Sequence, residues 1–163
     1  MTVSINNEIT KLKNLSEKIE KIIDVNQNRI ILKTTDSIII AKLDNFEIKN
    51  IQTLNTQKFY HNQNTGEWLT WSPWELWTIY ENGDASLLNR TSNRIDEVLP
   101  LDEYGVVLLS SENKITGFNP GYYTEHELFK KGNIKNITVN LANRKIFFLG
   151  EVAGKSGLFE LEY

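Results

Sequence analysis

The segment "LNRTSNRIDEVLPLDEYGVVLLSSENKI" (Leu88 to Ile115) follows, without a gap, the same order of apolar and polar residues as "LKNLSEKIEKIIDVNQNRIILKTTDSII" (Leu12 to Ile39). The offset of 76 residues sets Ile95 on Ile19, Val98 on Ile22, Leu108 on Leu32 and Ile115 on Ile39. At half that offset, 38 residues, two weaker copies emerge: one begins near Gln57, and one puts Ile134 where Ile19 and Ile95 stood. A fixed period of roughly 20 to 50 residues means that one small unit is stacked on itself, since a single unit cannot bury its own apolar face. This constrains the fold more than any other feature of the chain.

Each copy contains one continuous apolar run of about five residues: "RIILK", "EWLTW", "GVVLL" and "KIFFL". Such runs, rich in β-branched and aromatic residues, suit strands covered on both faces. Before each run stands turn chemistry: "NQN" at 26–28, "NTG" at 64–66, "DEYG" at 102–105 and "LANR" at 141–144. Four short strands per repeat of this length predict an all-β chain, a β-propeller or propeller segment of four roughly 38-residue, four-stranded blades. The whole chain, 1–163, then forms one domain, with repeats at about 19–54, 57–91, 95–129 and 134–163. The last copy ends after its third strand, so the segment 6–14 is expected to supply the fourth and close the ring. Three assemblies satisfy this plan: a closed four-bladed ring, two half rings joined as a homodimer, or part of a larger ring.

Ile5, Ile9, Leu12, Leu15, Ile19, Ile22 and Ile23 also fall close to helical spacing. The repeat favours strands instead, because the counterpart segment carries Gly83, Ser92, Asn93 and Pro100 where a helix would be interrupted.

The run from Glu75 to Phe118 contains a strand "ELW" (Glu75 to Trp77), a crossing with Gly83, Leu87, Leu88, Arg90 and Ser92, and a strand from Gly105 to Ser110. In these features it resembles propeller blades of bacterial surface proteins that carry PEGA-type domains. The resemblance implies a structural or ligand-recognising propeller in a bacterial surface protein. The Gly-His and Trp-Asp marks of WD repeats, the double glycines of kelch repeats and a PEGA segment are all absent.

Composition narrows the chemistry. A net charge of -3 with scattered lysines offers no basic field for a nucleic-acid backbone. The absence of cysteine removes thiol nucleophiles, thiolate metal sites and disulfides, and leaves the compartment unread. No stretch approaches the ~18 apolar residues of a membrane span, so no membrane contact is expected of this segment, and a cell-surface location would require a longer, anchored protein. His126 stands between Glu125 and Glu127, which a strand would direct to its other face, and His61 precedes a turn with no carboxylate near it in sequence. The pairs Asp96–Glu97 and Asp102–Glu103 diverge in extended backbone, and "GKSG" (154–157) lacks the earlier glycine of a phosphate loop. The expectation is therefore no catalytic residues, no metal and no cofactor. A lyase- or glycosidase-type site in a central tunnel is the rival; its inner strands would offer mainly Lys21, Asp24, Asn136 and Asn140. A purely structural repeat is the third reading.

All four tryptophans, Trp68, Trp71, Trp74 and Trp77, lie within ten residues. With Ser72-Pro73 as a hairpin tip, Trp71 and Trp74 should face each other at a rim, and Trp68 and Trp77 should lie deeper. Trp71 and Trp74, with Tyr60 and His61 on the neighbouring turn, are the candidate ligand-binding residues, and a protein or glycan is the expected partner.

Overall fold

The computed structural model describes residues 17–45, 47–63, 65–102 and 104–163. Their strands form four antiparallel sheets, each paired in simple chain order. Sheet I holds β1 (Lys21–Val25), β2 (Arg29–Lys33), β3 (Ile38–Asp44) and β4 (Glu47–Leu54). Sheet II holds β5 (Lys58–Asn62), β6 (Glu67–Trp71), β7 (Glu75–Ile79) and β8 (Ala85–Arg90). Sheet III holds β9 (Glu97–Pro100), β10 (Val107–Ser111), β11 (Lys114–Asn119) and β12 (Thr124–Lys130). Sheet IV has three strands among the described residues, β13 (Gly132–Asn140), β14 (Lys145–Val152) and β15 (Lys155–Glu162). The segment 6–14, expected to complete it, lies outside the described residues.

The turns that join the first two strands of each sheet stand where the sequence marks them, and local polar side chains account for most of them. Asn26 Oδ1 accepts from the backbone N–H groups of Asn28 and Arg29 at 2.8 and 2.9 Å, and Asp102 Oδ1 accepts from those of Tyr104 and Val106 at 2.9 Å each. Asn140 Oδ1 caps a single 3₁₀ turn, Leu141–Asn143, that separates β13 from β14. Short polar acceptors of this kind hold a reversal without help from the rest of the fold. The rival helix is excluded over β1, which pairs with β2 along Lys21–Val25; residues 5–16 lie outside the described part.

Three apolar layers hold the sheets together. Between I and II lie Ile31, Ile38, Ile40, Leu54 and Ile79, with Phe59, Trp68 and Trp77 packed on them. Between II and III lie Leu69, Trp71, Leu76, Ile95, Val98, Val107, Leu109 and Phe118. Between III and IV lie Leu101, Leu108, Ile115, Ile134, Ile146 and Phe148. Sheets II and III each lie between two layers, so β6 and β10 must be apolar on both faces, whereas β2 and β14 turn one face, with Ile31 or with Ile146 and Phe148, into a layer between sheets. The innermost strands of II and III, and of III and IV, also run in contact.

The junction of I and II has a polar pin as well. The Arg29 side chain is buried; its guanidinium donates to Asp24 Oδ2 within sheet I and to the carbonyls of Ile79, Tyr80 and Gly66 in sheet II. The same Asp24 oxygen accepts the indole N–H of Trp68 at 3.1 Å.

Cross-strand pairing corrects the repeat by one residue. Ile31 pairs with Ile40 and Leu108 with Gly117, so the second and third strands of sheets I and III correspond at an offset of 77 rather than 76. The first strands correspond at 76, since Ile22 opposite Leu32 matches Val98 opposite Leu109. A bulge at Ile22/Asp24 sits in β1. Because side chains alternate at every residue, this single step moves Ile39 and Ile115 to opposite faces of their sheets.

Candidate functional site

An antiparallel meander sends its turns alternately to two rims. On one rim lie the turns β1–β2, β3–β4 and their equivalents; on the other lie β2–β3, its equivalents and the links between sheets. The sequence-predicted residues are divided between them.

Trp74 lies at the β6–β7 turn and is 52% exposed. Trp71 is 3% exposed and pairs with Leu76, so it does not face Trp74 as expected. The tip is Pro73-Trp74 rather than Ser72-Pro73: Ser72 N–H donates to the Glu75 carbonyl at 3.0 Å, and Ser72 Oγ accepts from the backbone of Trp74 and Glu75. Serine in first place and proline in second is the arrangement a β-turn prefers, and it carries Trp71 one residue deeper into the hairpin. There Trp71 packs in the layer between II and III. Its indole N–H is buried with no hydrogen-bond partner among the described residues.

Tyr60 packs against that same layer, and burial raises its phenol above the ordinary range. His61 points to the other face of sheet II, where its ring stacks on Trp68 at 4.5 Å. Trp68 also meets Phe59 edge-on at 5.8 Å. Tyr60 and His61 lie toward the β5–β6 turn, since His61 pairs with Trp68 and Lys58 with Trp71. His61 is thus three residues along the strand from the Trp71 end, about 10 Å at ~3.3 Å per residue. The structure therefore brings Tyr60 and Trp71 to one buried layer, leaves Trp74 on one rim and turns His61 to the opposite face.

Beside the Pro73-Trp74 turn is a cleft of about 240 Å³ walled by Gln57, Lys58, Trp71, Pro73, Arg94 and Asp96. Its cations are already engaged, Lys58 with Glu97 at 2.9 Å and Arg94 with Asp96 at 2.7 Å.

The larger depression is on the opposite rim, between sheets III and IV, and measures about 970 Å³. Leu101, Val106, Leu128, Leu141 and Tyr163 give it apolar walls, and Tyr104, 85% exposed, stands at its edge. Tyr163 is fixed: its hydroxyl donates to the Leu101 carbonyl at 2.7 Å, and the Arg144 guanidinium lies 5.8 Å from its ring centre. Burial, first of all, pushes the Tyr163 phenol up, while Arg144 pulls it down. Tyr122 and Tyr123, also exposed, occupy the β11–β12 turn on this rim. His126 lines the groove, whereas its neighbour Glu125 turns the other way and accepts from Asn89 Nδ2 at 2.8 Å. The two glutamates beside His126 do not gather around it, as the strand alternation requires.

Sequence reading missed Tyr104, Leu141 and Tyr163. These come from three segments spread over some sixty residues, and no local pattern connects them. Among the described residues, no group of three His, Cys, Asp or Glu could hold a metal ion.

The four stacked antiparallel sheets match solved structures. The N-terminal domain of Nup159 superposes with a TM-score of 0.52 at 8% identity, covering 83% of this chain and 42% of that one. Hsv2 of Kluyveromyces lactis gives 0.53 at 11% identity over 85% of this chain and 48% of that one. Its variant with loop 6CD replaced by a Gly-Ser linker gives 0.56 at 14% over 85% and 49%. The fold is that of a β-propeller. At these identities the likeness speaks for architecture alone, and the chain spans less than half the length of the propeller chains it matches. No protein-family model and no curated protein matches the sequence.

Proposed function

We propose that this chain is a non-enzymatic protein-recognition module, a propeller arc whose groove between sheets III and IV seats an apolar anchor of a partner polypeptide. The observation that carries the reading is the groove itself: about 970 Å³, walled mainly by apolar side chains, with Tyr104 standing 85% exposed at its mouth. Tyrosine beside a largely apolar groove is the composition of interface anchors, and Asp102, Asn119, Thr124, His126 and Arg144 add polar groups to its lining. Trp74, exposed on the other rim, is a second contact point. Trp71, Tyr60 and His61 contribute by holding sheet II between its neighbours rather than by touching the ligand.

The non-enzymatic part of the reading rests on how the candidate acids and bases are used. Asp24 is bound to Arg29 and Trp68, and His61 is stacked on Trp68. The resemblance of residues 75–118 to blades of PEGA-type proteins supports a place in a bacterial surface protein.

A displayed random-peptide library tests the reading. Peptides with an aromatic or aliphatic anchor should be enriched, and Tyr104→Ala or Leu141→Ala should weaken their binding at least about tenfold, the size expected of a central anchor residue. Peptide binding that both variants leave intact would contradict it. So would glycan-array binding that is lost in Trp74→Ala.

A further inference from the structure

The groove between sheets III and IV lies where one sheet lacks a side chain. In sheets I and II the third strand turns a buried side chain toward the next sheet, Ile40 opposite Ile31 and Thr78 opposite Leu69. In sheet III the residue opposite Leu108 is Gly117. A Cβ there would stand 3.3 Å from Leu101 Cδ1 and 3.7 Å from Leu128 Cδ1, both in the groove wall. Glycine inside a strand gives up packing, and it commonly marks a place where a ligand or another chain comes close. Charge in the same groove is also unbalanced. Of the four arginines, Arg29, Arg90 and Arg94 each hold a carboxylate at 2.6 to 2.8 Å. Arg144 lines the groove and has no carboxylate partner among the described residues. It ends the 3₁₀ turn at a φ of 53°, a left-handed conformation that glycine and asparagine adopt more readily than arginine. Its guanidinium lies over the ring of Tyr163, and a cation laid on a ring keeps its N–H edge free for a planar anion. The nearby acids are engaged elsewhere. Asp102 Oδ1 holds its own turn, Glu125 accepts from Asn89, and Glu127 faces Lys114 and Lys130.

We infer that the polypeptide received by this groove carries an acidic side chain beside its apolar anchor: the anchor rests over Gly117, and the Asp or Glu carboxylate pairs with Arg144. Apolar walls alone would accept any hydrophobic anchor, and Arg144 adds a requirement for the sign of the charge next to it. Guanidinium and carboxylate match in shape and can share two parallel hydrogen bonds. Here the pair forms without breaking another, since Arg144 has no carboxylate to give up. In the smaller cleft on the other rim, Lys58 and Arg94 would each have to release a bonded acid first. The acidic requirement deepens the recognition reading above and rests on it.

Calorimetric titration of the 163-residue chain tests it. The probes are peptides blocked at both ends, each with one Leu or Phe anchor and with Glu, Gln or Lys at successive distances from it. At one spacing the Glu peptide should bind at least about tenfold more tightly than its Gln counterpart, the size of one charge-assisted contact, and the Lys peptide should bind most weakly. Arg144→Met should erase the Glu-to-Gln ratio, and Arg144→Lys should keep part of it. Gly117→Val, with unchanged circular dichroism, should abolish binding of all three peptides. Equal affinity for Glu and Gln at every spacing, or a ratio that survives in Arg144→Met, would overturn the acidic pairing while leaving the groove as the site. A preference for acid that appears only with a free C-terminal carboxylate would overturn it as well, in favour of a chain end. If no peptide binds, or if Tyr104→Ala and Gly117→Val both leave binding intact, the groove is not the recognition site and both readings fall.

Discussion

Arg29 Nη2 lies 2.8 Å from Asp24 Oδ2, and the arginine side chain retains only 2% of its surface. A cation so enclosed depends on its partner, and breaking a buried pair from one side costs about 3 to 5 kcal/mol. Asp24, 26% exposed, sets the expectation at the low end. Asp24→Ala should therefore lose about 3 kcal/mol in urea unfolding. Asp24→Ala combined with Arg29→Met should recover most of that, since no unpaired charge is left in the junction. An additive double variant would show that the pin is not a pair.

Trp71 offers a contrast between size and polarity. Its ring fills the layer between II and III, but its indole N–H has no partner there. Trp71→Ala should cost about 3 to 5 kcal/mol, the usual figure for emptying a large aromatic site. Trp71→Phe should cost less than about 1 kcal/mol, because relief of the unsatisfied donor offsets the smaller cavity. Equal losses for the two would mean that the donor is satisfied in solution.

Gly150 marks a place where sheet IV has no room. A Cβ there would sit 1.9 Å from the Asn133 carbonyl oxygen, where β13 bulges between Ile134 and Asn136. Gly150→Ala should destabilise the chain by about 1 to 3 kcal/mol, the cost of overpacking. Amide exchange should quicken first along β13 to β15. Unchanged exchange there would contradict this pairing.

Acid should act in part through Glu75. Its carboxyl is held below the ordinary 4.5 first by the hydrogen bond from Trp77 Nε1 and then by Arg90. A group whose folded pKa is depressed contributes stability above its unfolded value, and that contribution is lost as pH falls through the folded value. Glu75→Gln should therefore flatten the stability profile below about pH 4.5 and change its slope little near neutrality. An unaltered acid limb would contradict the assignment.

Turns and strand identities were readable from the sequence because their causes are local. Asn26, Asp102 and Asn140 cap reversals through nearby backbone N–H groups, and each five-residue apolar run forms the second strand of its sheet. Facing was harder to read. One bulge at Ile22/Asp24 moves the register by a residue, and hydrophobicity does not encode bulges. The tryptophan cluster was legible as blade packing for Trp68 and Trp77 but misread at Trp71, because the turn begins at Ser72 and takes Trp74 as its tip. The groove was illegible: Tyr104, His126 and Tyr163 meet only once sheets III and IV are stacked.

The most direct measurement is the set of interstrand nuclear Overhauser contacts in solution. Cross-strand contacts are expected for Ile31 with Ile40, Leu69 with Thr78, Leu108 with Gly117 and Phe148 with Phe159, one pair in each of the four sheets. Sequential helical contacts through residues 17–25, or the loss of any one of these four pairs in the folded chain, would contradict the propeller.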